Sequence, residues 1–286
     1  MQRKMLYMRK TPFSSAAILY LLAAGLVLLP YQWLGDLITQ NETVARSLGL
    51  GIVRILSACV MFALAFHMGI RGVTLPRGKT GAAALLLALP ALAVAVNNFP
   101  IVGVASGSVQ ITGGAAEIFA FALQCFGVAL FEETAFRGVI FPFVLGYTGT
   151  GVKGRFRAVV FSSAAFGLLH LVNLLGGFSV GVFLQVGYSF LIGAMLAVCL
   201  FRGAGILYCT FVHAVFNFCG NLAFECGNAS FSTVWTVSEI VLTASVAVAA
   251  LVYFVLLLKN SRSDSADTFA VFPSAEKADE KTEKHD

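Results

Sequence analysis

Charge is scarce in this sequence. Asp, Glu, Lys and Arg make up 12% of 286 residues and hydrophobic types 58%, where a soluble globular protein carries about 25% charged residues. A soluble domain is thereby excluded, and a polytopic membrane protein is left. The net charge of +5 is small and is the kind of surplus that membrane topology requires at termini and loops, so no nucleic-acid partner is expected. No CxxC pair occurs among the six cysteines, Cys59, Cys125, Cys199, Cys209, Cys219 and Cys226. Without such pairs there is no zinc–thiolate site and no disulfide framework, and the cysteines read as small buried apolar residues. There is no internal repeat. No serine stands at helical spacing from a histidine, and Cys209, four residues before His213, falls in an apolar run, which counts against a covalent nucleophile.

Long apolar runs are abundant instead. They cover 13–33, 48–70, 82–96, a fourth from 115, then 158–175, 178–201, 205–224 and 235–258. The first is too long for a signal-peptide core and spans as a retained helix. Lys and Arg fall in alternate connections. Arg3, Lys4, Arg9 and Lys10 precede the first run; Arg71, Arg77 and Lys79 follow the second; Lys153, Arg155 and Arg157 follow the fourth; Arg202 follows the sixth; Lys259 and Arg262 follow the last. The intervening connections carry only Arg46. This alternation predicts an all-α bundle of eight transmembrane helices with both termini cytoplasmic. Residues 1–258 form the expected membrane domain. Residues 259–286 are too hydrophilic to fold alone and form an expected disordered cytoplasmic tail.

Polar residues inside such runs are costly and mark sites. Glu132 and Glu133 sit within the fourth run, with Arg137 four residues after Glu133, so Glu133 and Arg137 share a helix face and can pair. Glu132, turned about 100° away, is free to face something else. The plainer alternative is an ion pair that only joins helices. The fifth run ends near Phe166, His170 and Asn173, and the seventh places His213 and Asn217 on one face. Rises of 1.5 Å per residue allow Glu132, His170, His213 and Asn217 to meet in one cavity, expected to open toward the cytoplasm. A carboxylate with two imidazoles can activate water as a general base or ligate Zn²⁺, and His and Asn donors can stabilise an oxyanion. His67 and Arg54 read as interfacial, Arg54 by snorkelling. Glu117, Gln124 and Gln185 read equally well as cavity lining or as interhelical hydrogen bonds.

Glu132-Glu133-x-x-x-Arg137, Phe166-x-x-x-His170 and His213-x-x-x-Asn217, in that order on separate apolar helices, resemble the CPBP family of intramembrane proteases, also called CAAX protease, Abi or Rce1-like. The resemblance covers about residues 115–220. It implies an eight-helix bundle with a conical intramembrane cavity and endoproteolysis of membrane-associated substrates, CAAX-type or otherwise lipid-tethered or hydrophobic. It further implies that Glu132 and His170 activate water, that His213 and Asn217 form the oxyanion site, and that Glu133 and Arg137 support them. No cofactor is favoured. If the reaction uses Zn²⁺, Glu132, His170 and His213 are the ligands. The expected partners are the bilayer and a membrane protein or lipid-tethered peptide substrate, and the expected location is the plasma membrane. Two other readings remain: a non-catalytic immunity or scaffold protein of the same fold, and a transporter or proton relay using the same buried groups.

Overall fold

The computed structural model describes residues 12–68, 70 and 80–261. The basic segments at 1–11 and 71–79 and the tail from 262 lie outside the described residues. Among the described residues there is no strand, only an isolated antiparallel bridge between Ile111 and Gly227, and nearly everything else is helix.

Helix α1 (Pro12–Val27) stops just short of Pro30, which removes a donor and disfavours helix in the residue before it, and a short α2 (Gln32–Asp36) follows. Helix α3 (Glu42–His67) starts six residues before the apolar run does. Its start is set by Asn41, whose side chain accepts from Val44 N at 3.0 Å, satisfying a donor that the first turn would otherwise orphan. Helix α4 (Thr80–Asn97) and the short α5 (Ile101–Ala105) lead to α6 (Ala115–Glu133). Helix α6 does not end at the charges. It continues as a π-helical stretch, Thr134–Ile140, and then as α7 (Phe141–Thr148). Helix α8 (Val152–Leu169) passes into a 3-10 turn, His170–Gly176. Helices α9 (Val180–Phe201), α10 (Ile206–Glu225), the short α11 (Phe231–Val234) and α12 (Val237–Lys259) complete the order.

Among the described residues, seven helical segments are long and apolar enough to cross a membrane. The third expected run is the exception: its apolar stretch, Ala82–Asn97, is shorter, carries Pro90 inside it, and adjoins residues outside the described set. The count of eight is therefore not reached on length and composition, whereas the all-α polytopic class is.

Two features place the site. Helices α3 and α6 cross at backbone contact, because a Cβ at Gly127 would fall on the carbonyl of Gly51; small residues are what let membrane helices approach so closely. The two ends of the bundle also differ. At one, Arg155 donates to the Ser261 carbonyl and Arg202 to the Ser261 hydroxyl, so Ser261, within the expected tail, is buried against the bundle. At the other, Arg46 pairs with Glu225, Asn228 accepts from Gln110 N at 2.8 Å, and Glu239 accepts from Val102 N at 3.0 Å.

Candidate functional site

Glu132 and Glu133 are the last residues of α6, and every residue from 131 to 143 is buried. A π-helical stretch widens the turn and is often found at functional sites; here it begins directly after the two carboxylates. The expected pair forms: Arg137 Nη1 lies 3.0 Å from Glu133 Oε1, with side chains 2% and 0% exposed. The Arg137 guanidinium also lies over the Phe166 ring, 4.5 Å from its centroid. Gly193 on α9 makes room, since a Cβ there would stand 2.9 Å from Arg137 Nη2 and 3.0 Å from Phe166 Cδ1.

The same Glu133 oxygen has a second partner, His213 Nδ1 at 2.8 Å. A carboxylate only accepts, so Nδ1–H donates, and Nε2 is the ring atom left for the cavity. His170 is held in the same sense. Its Nδ1 lies 3.2 Å from the Phe166 carbonyl and must donate to it. Both Nε2 atoms therefore face Glu132, at 4.0 Å from Oε1 for His170 and 3.5 Å from Oε2 for His213. Phe166 stands edge-on to both rings, with centroids 5.1 and 5.7 Å away. The structure thus brings Glu132, Glu133, Arg137, His170 and His213 together. Asn217, one turn from His213, lines the same cavity, which measures about 400 Å³.

The transition at Leu169 matters for His170. The α-helix ends there and His170 opens the 3-10 turn, in which Asn173 donates to Gln185 of α9 at 2.9 Å. Gln124 and Gln185 both line the cavity, while Glu117 instead accepts from Gly114 N and caps its own helix.

Arg54 departs from expectation. It is 7% exposed and donates to the Leu26 and Val27 carbonyls at 2.8 and 2.7 Å, which are among the carbonyls that the end of α1 leaves without helical partners. It also lines the cavity. A buried acceptor pair so close in space is not visible in sequence, so snorkelling was the natural reading. Asn221 and Glu225 were missed as well, although His213, Asn217, Asn221 and Glu225 recur every four residues on α10 and that spacing alone marks one polar face.

The cavity opens at the end of the bundle away from Lys153, Arg155, Arg202 and Lys259. Along α10, His213 is buried, Asn217 partly so and Asn221 exposed, so access widens toward the Arg46–Glu225 end. The π-stretch closes the other side. The chain's Lys/Arg-rich end and the cavity mouth are therefore on opposite sides, and cytoplasmic termini are incompatible with a cytoplasmic mouth.

As to metal, no group of three His, Cys, Asp or Glu side chains among the described residues has an arrangement that could hold an ion. The six cysteines are free; Cys125, Cys199, Cys209 and Cys226 are buried, Cys219 partly so, and Cys59 exposed. Burial pushes the Cys226 thiol up from its ordinary pKa, with Glu117 and Glu225 adding to the shift.

An all-α polytopic bundle with a carboxylate and two oriented imidazoles at the closed end of a cavity defines a class: polytopic membrane proteins with titratable groups buried among apolar helices. Residues 114–219 match the family model described as type II CAAX prenyl endopeptidase Rce1-like. The match supports the CPBP, or CAAX protease, family for these residues and endopeptidase activity of that type in general. No curated protein matches the chain, and no solved structure does.

Proposed function

We propose that the chain is an intramembrane endopeptidase that hydrolyses a peptide bond of a membrane-associated protein, with Glu132 activating the water. One observation carries this reading: a buried carboxylate whose two oxygens face the Nε2 atoms of His170 and His213, 4.0 and 3.5 Å away, at the closed end of a cavity. A bound water needs two to four polar partners, and these three groups supply them.

Glu132, assisted by His170, takes a proton from water as the water oxygen bonds to the scissile carbonyl carbon. The carbonyl electron pair moves onto its oxygen, where His213 and Asn217 donate to it. His213 donates from Nε2 as the imidazolium, with Glu133 at Nδ1 as counter-charge. The tetrahedral carbon then expels the amine, the C–N bond breaks, and the proton held by Glu132 passes to the leaving nitrogen. Glu133 and Arg137 act through their partners, holding His213 and Phe166 in place. We favour this route without a metal, because Asn217 beside His213 suits an oxyanion donor better than a zinc ligand. The substrate is CAAX-type or another lipid-tethered or hydrophobic protein, the setting is the plasma membrane, and residues 1–258 act as one membrane domain with a hydrophilic tail after it.

Purified protein, stripped with a chelator and checked by elemental analysis, tests this on lipid-tethered and hydrophobic peptides. Turnover should survive without metal. Glu132→Gln, nearly isosteric but unable to take the proton, should lower it by about 10²-fold or more with an unchanged melting temperature. Activity lost with metal and restored by Zn²⁺ would make Glu132, His170 and His213 ligands instead. A folded wild-type protein that cleaves nothing would return the non-catalytic immunity or scaffold reading.

A further inference from the structure

The cavity mouth and the positive charge of this chain lie at opposite ends of the bundle. Lys153, Arg155, Arg157, Arg202 and Lys259 gather at the end where Arg155 and Arg202 hold Ser261. In the sequence, Arg3, Lys4, Arg9 and Lys10 precede α1, and Arg71, Arg77 and Lys79 fall between α3 and α4. At the other end, among the described residues, Arg46 is paired with Glu225 and Arg54 is buried against the end of α1; Asp36, Glu42, Glu117 and Glu239 also lie there. Asymmetry of this kind retains the Lys/Arg-rich end in the cytoplasm.

The site belongs to the opposite half. Asn217, Asn221 and Glu225 step outward along α10 from buried His213, and Gln124 lies on the N-terminal side of Glu132 in α6. His170 is at the far end of α8 from Lys153, about 26 Å along the helix. Toward the cytoplasmic end the way is closed by the buried stretch 131–143. The wall carries five amide side chains: Gln124, Asn173, Gln185, Asn217 and Asn221. Amides both donate and accept, as an extended peptide backbone requires, and Phe121, Val128, Leu169, Ile192 and Phe216 add apolar wall beside them for side chains.

We propose that the cavity opens to the non-cytoplasmic face and takes an extended segment of an exported polypeptide tethered at the outer leaflet. A prenylated protein on the cytoplasmic leaflet lies on the wrong side. The substrate clause rests on the protease reading; the direction of the mouth does not.

Two measurements separate them. In the first, Ser108→Cys, Ser232→Cys and Asn221→Cys are probed with a charged, membrane-impermeant maleimide on intact cells, with the unaltered chain as blank and Lys153→Cys as the opposite-end control. Ser108 and Ser232 are exposed, so at least one variant should fold. Labelling of these sites in intact cells, with Lys153→Cys labelled only after permeabilisation, is the expected result; the reverse pattern overturns the proposal. In the second, right-side-out and inside-out vesicles containing the full chain receive a dipalmitoylated, internally quenched peptide. Cleavage in right-side-out vesicles alone, lost with Glu132→Gln, is expected. Cleavage confined to inside-out vesicles overturns the inference while leaving the protease reading intact. If neither orientation nor detergent extract cleaves the peptide, the substrate clause fails with the protease reading, and the labelling still decides the mouth.

Discussion

Phe166 is the residue on which the cluster turns. Its carbonyl accepts from His170, its ring meets the edges of both imidazoles, and the Arg137 guanidinium lies over its face. Phe166→Leu preserves much of the volume and removes the ring geometry. It should lower kcat/KM by roughly tenfold to a hundredfold, since small misplacements of reacting groups cost that much, while the melting temperature moves little. Arg137 differs, because its loss leaves Glu133 charged and buried. Arg137→Ala should cost about 3–5 kcal/mol and show first as reduced folded yield in detergent; normal yield and turnover together would mean the pair is dispensable. Arg54→Ala strands two main-chain carbonyls at the end of α1. The expected loss is about 1–3 kcal/mol, measurable as a lower thermal midpoint.

Elements position these side chains through two irregularities. The π-stretch after Glu133 keeps α6 and α7 continuous over 34 residues, about 50 Å, while changing the angular register at the charges. The 3-10 turn after Leu169 takes His170 out of the α8 register, and Asn173 within it reaches Gln185 of α9. Packing then fixes the approach of α6 to α3 at Gly51 and Gly127. Gly127→Leu places a side chain where the Gly51 backbone lies and should cost about 1–3 kcal/mol through overpacking. Thermal denaturation followed by tryptophan fluorescence checks it, and an unchanged midpoint would show that the crossing can open without penalty.

For the whole molecule, the closing contact is at the end away from the cavity. Arg155 is buried, lies over Phe201 with its guanidinium 5.5 Å from the ring centroid, and donates to Ser261. Truncation after Leu258 removes that acceptor and should cost about 1.5–3 kcal/mol, the range for hydrogen bonds to charged groups. A thermal midpoint equal to that of the full chain would mean that Ser261 is carried along rather than holding the bundle.

The sequence alone determined the all-α membrane class, because the scarcity of charge and the length of the apolar runs admit little else. It also made Glu132, Glu133, Arg137, His170, His213 and Asn217 conspicuous, because polar groups in apolar runs are expensive and stand out. The Glu133–Arg137 pair was legible from helical spacing within one segment. What crosses between segments was not. That Glu133 serves His213 as well as Arg137, that Arg54 is buried against α1 and that Asn173 reaches Gln185 are meetings between residues 12 to 80 positions apart, which periodicity cannot report. The direction of the cavity was lost for the same reason. Depth along each helix follows from residue counting, but which end of the bundle is plugged depends on how the π-stretch and its neighbours pack, and only the tertiary structure decides that.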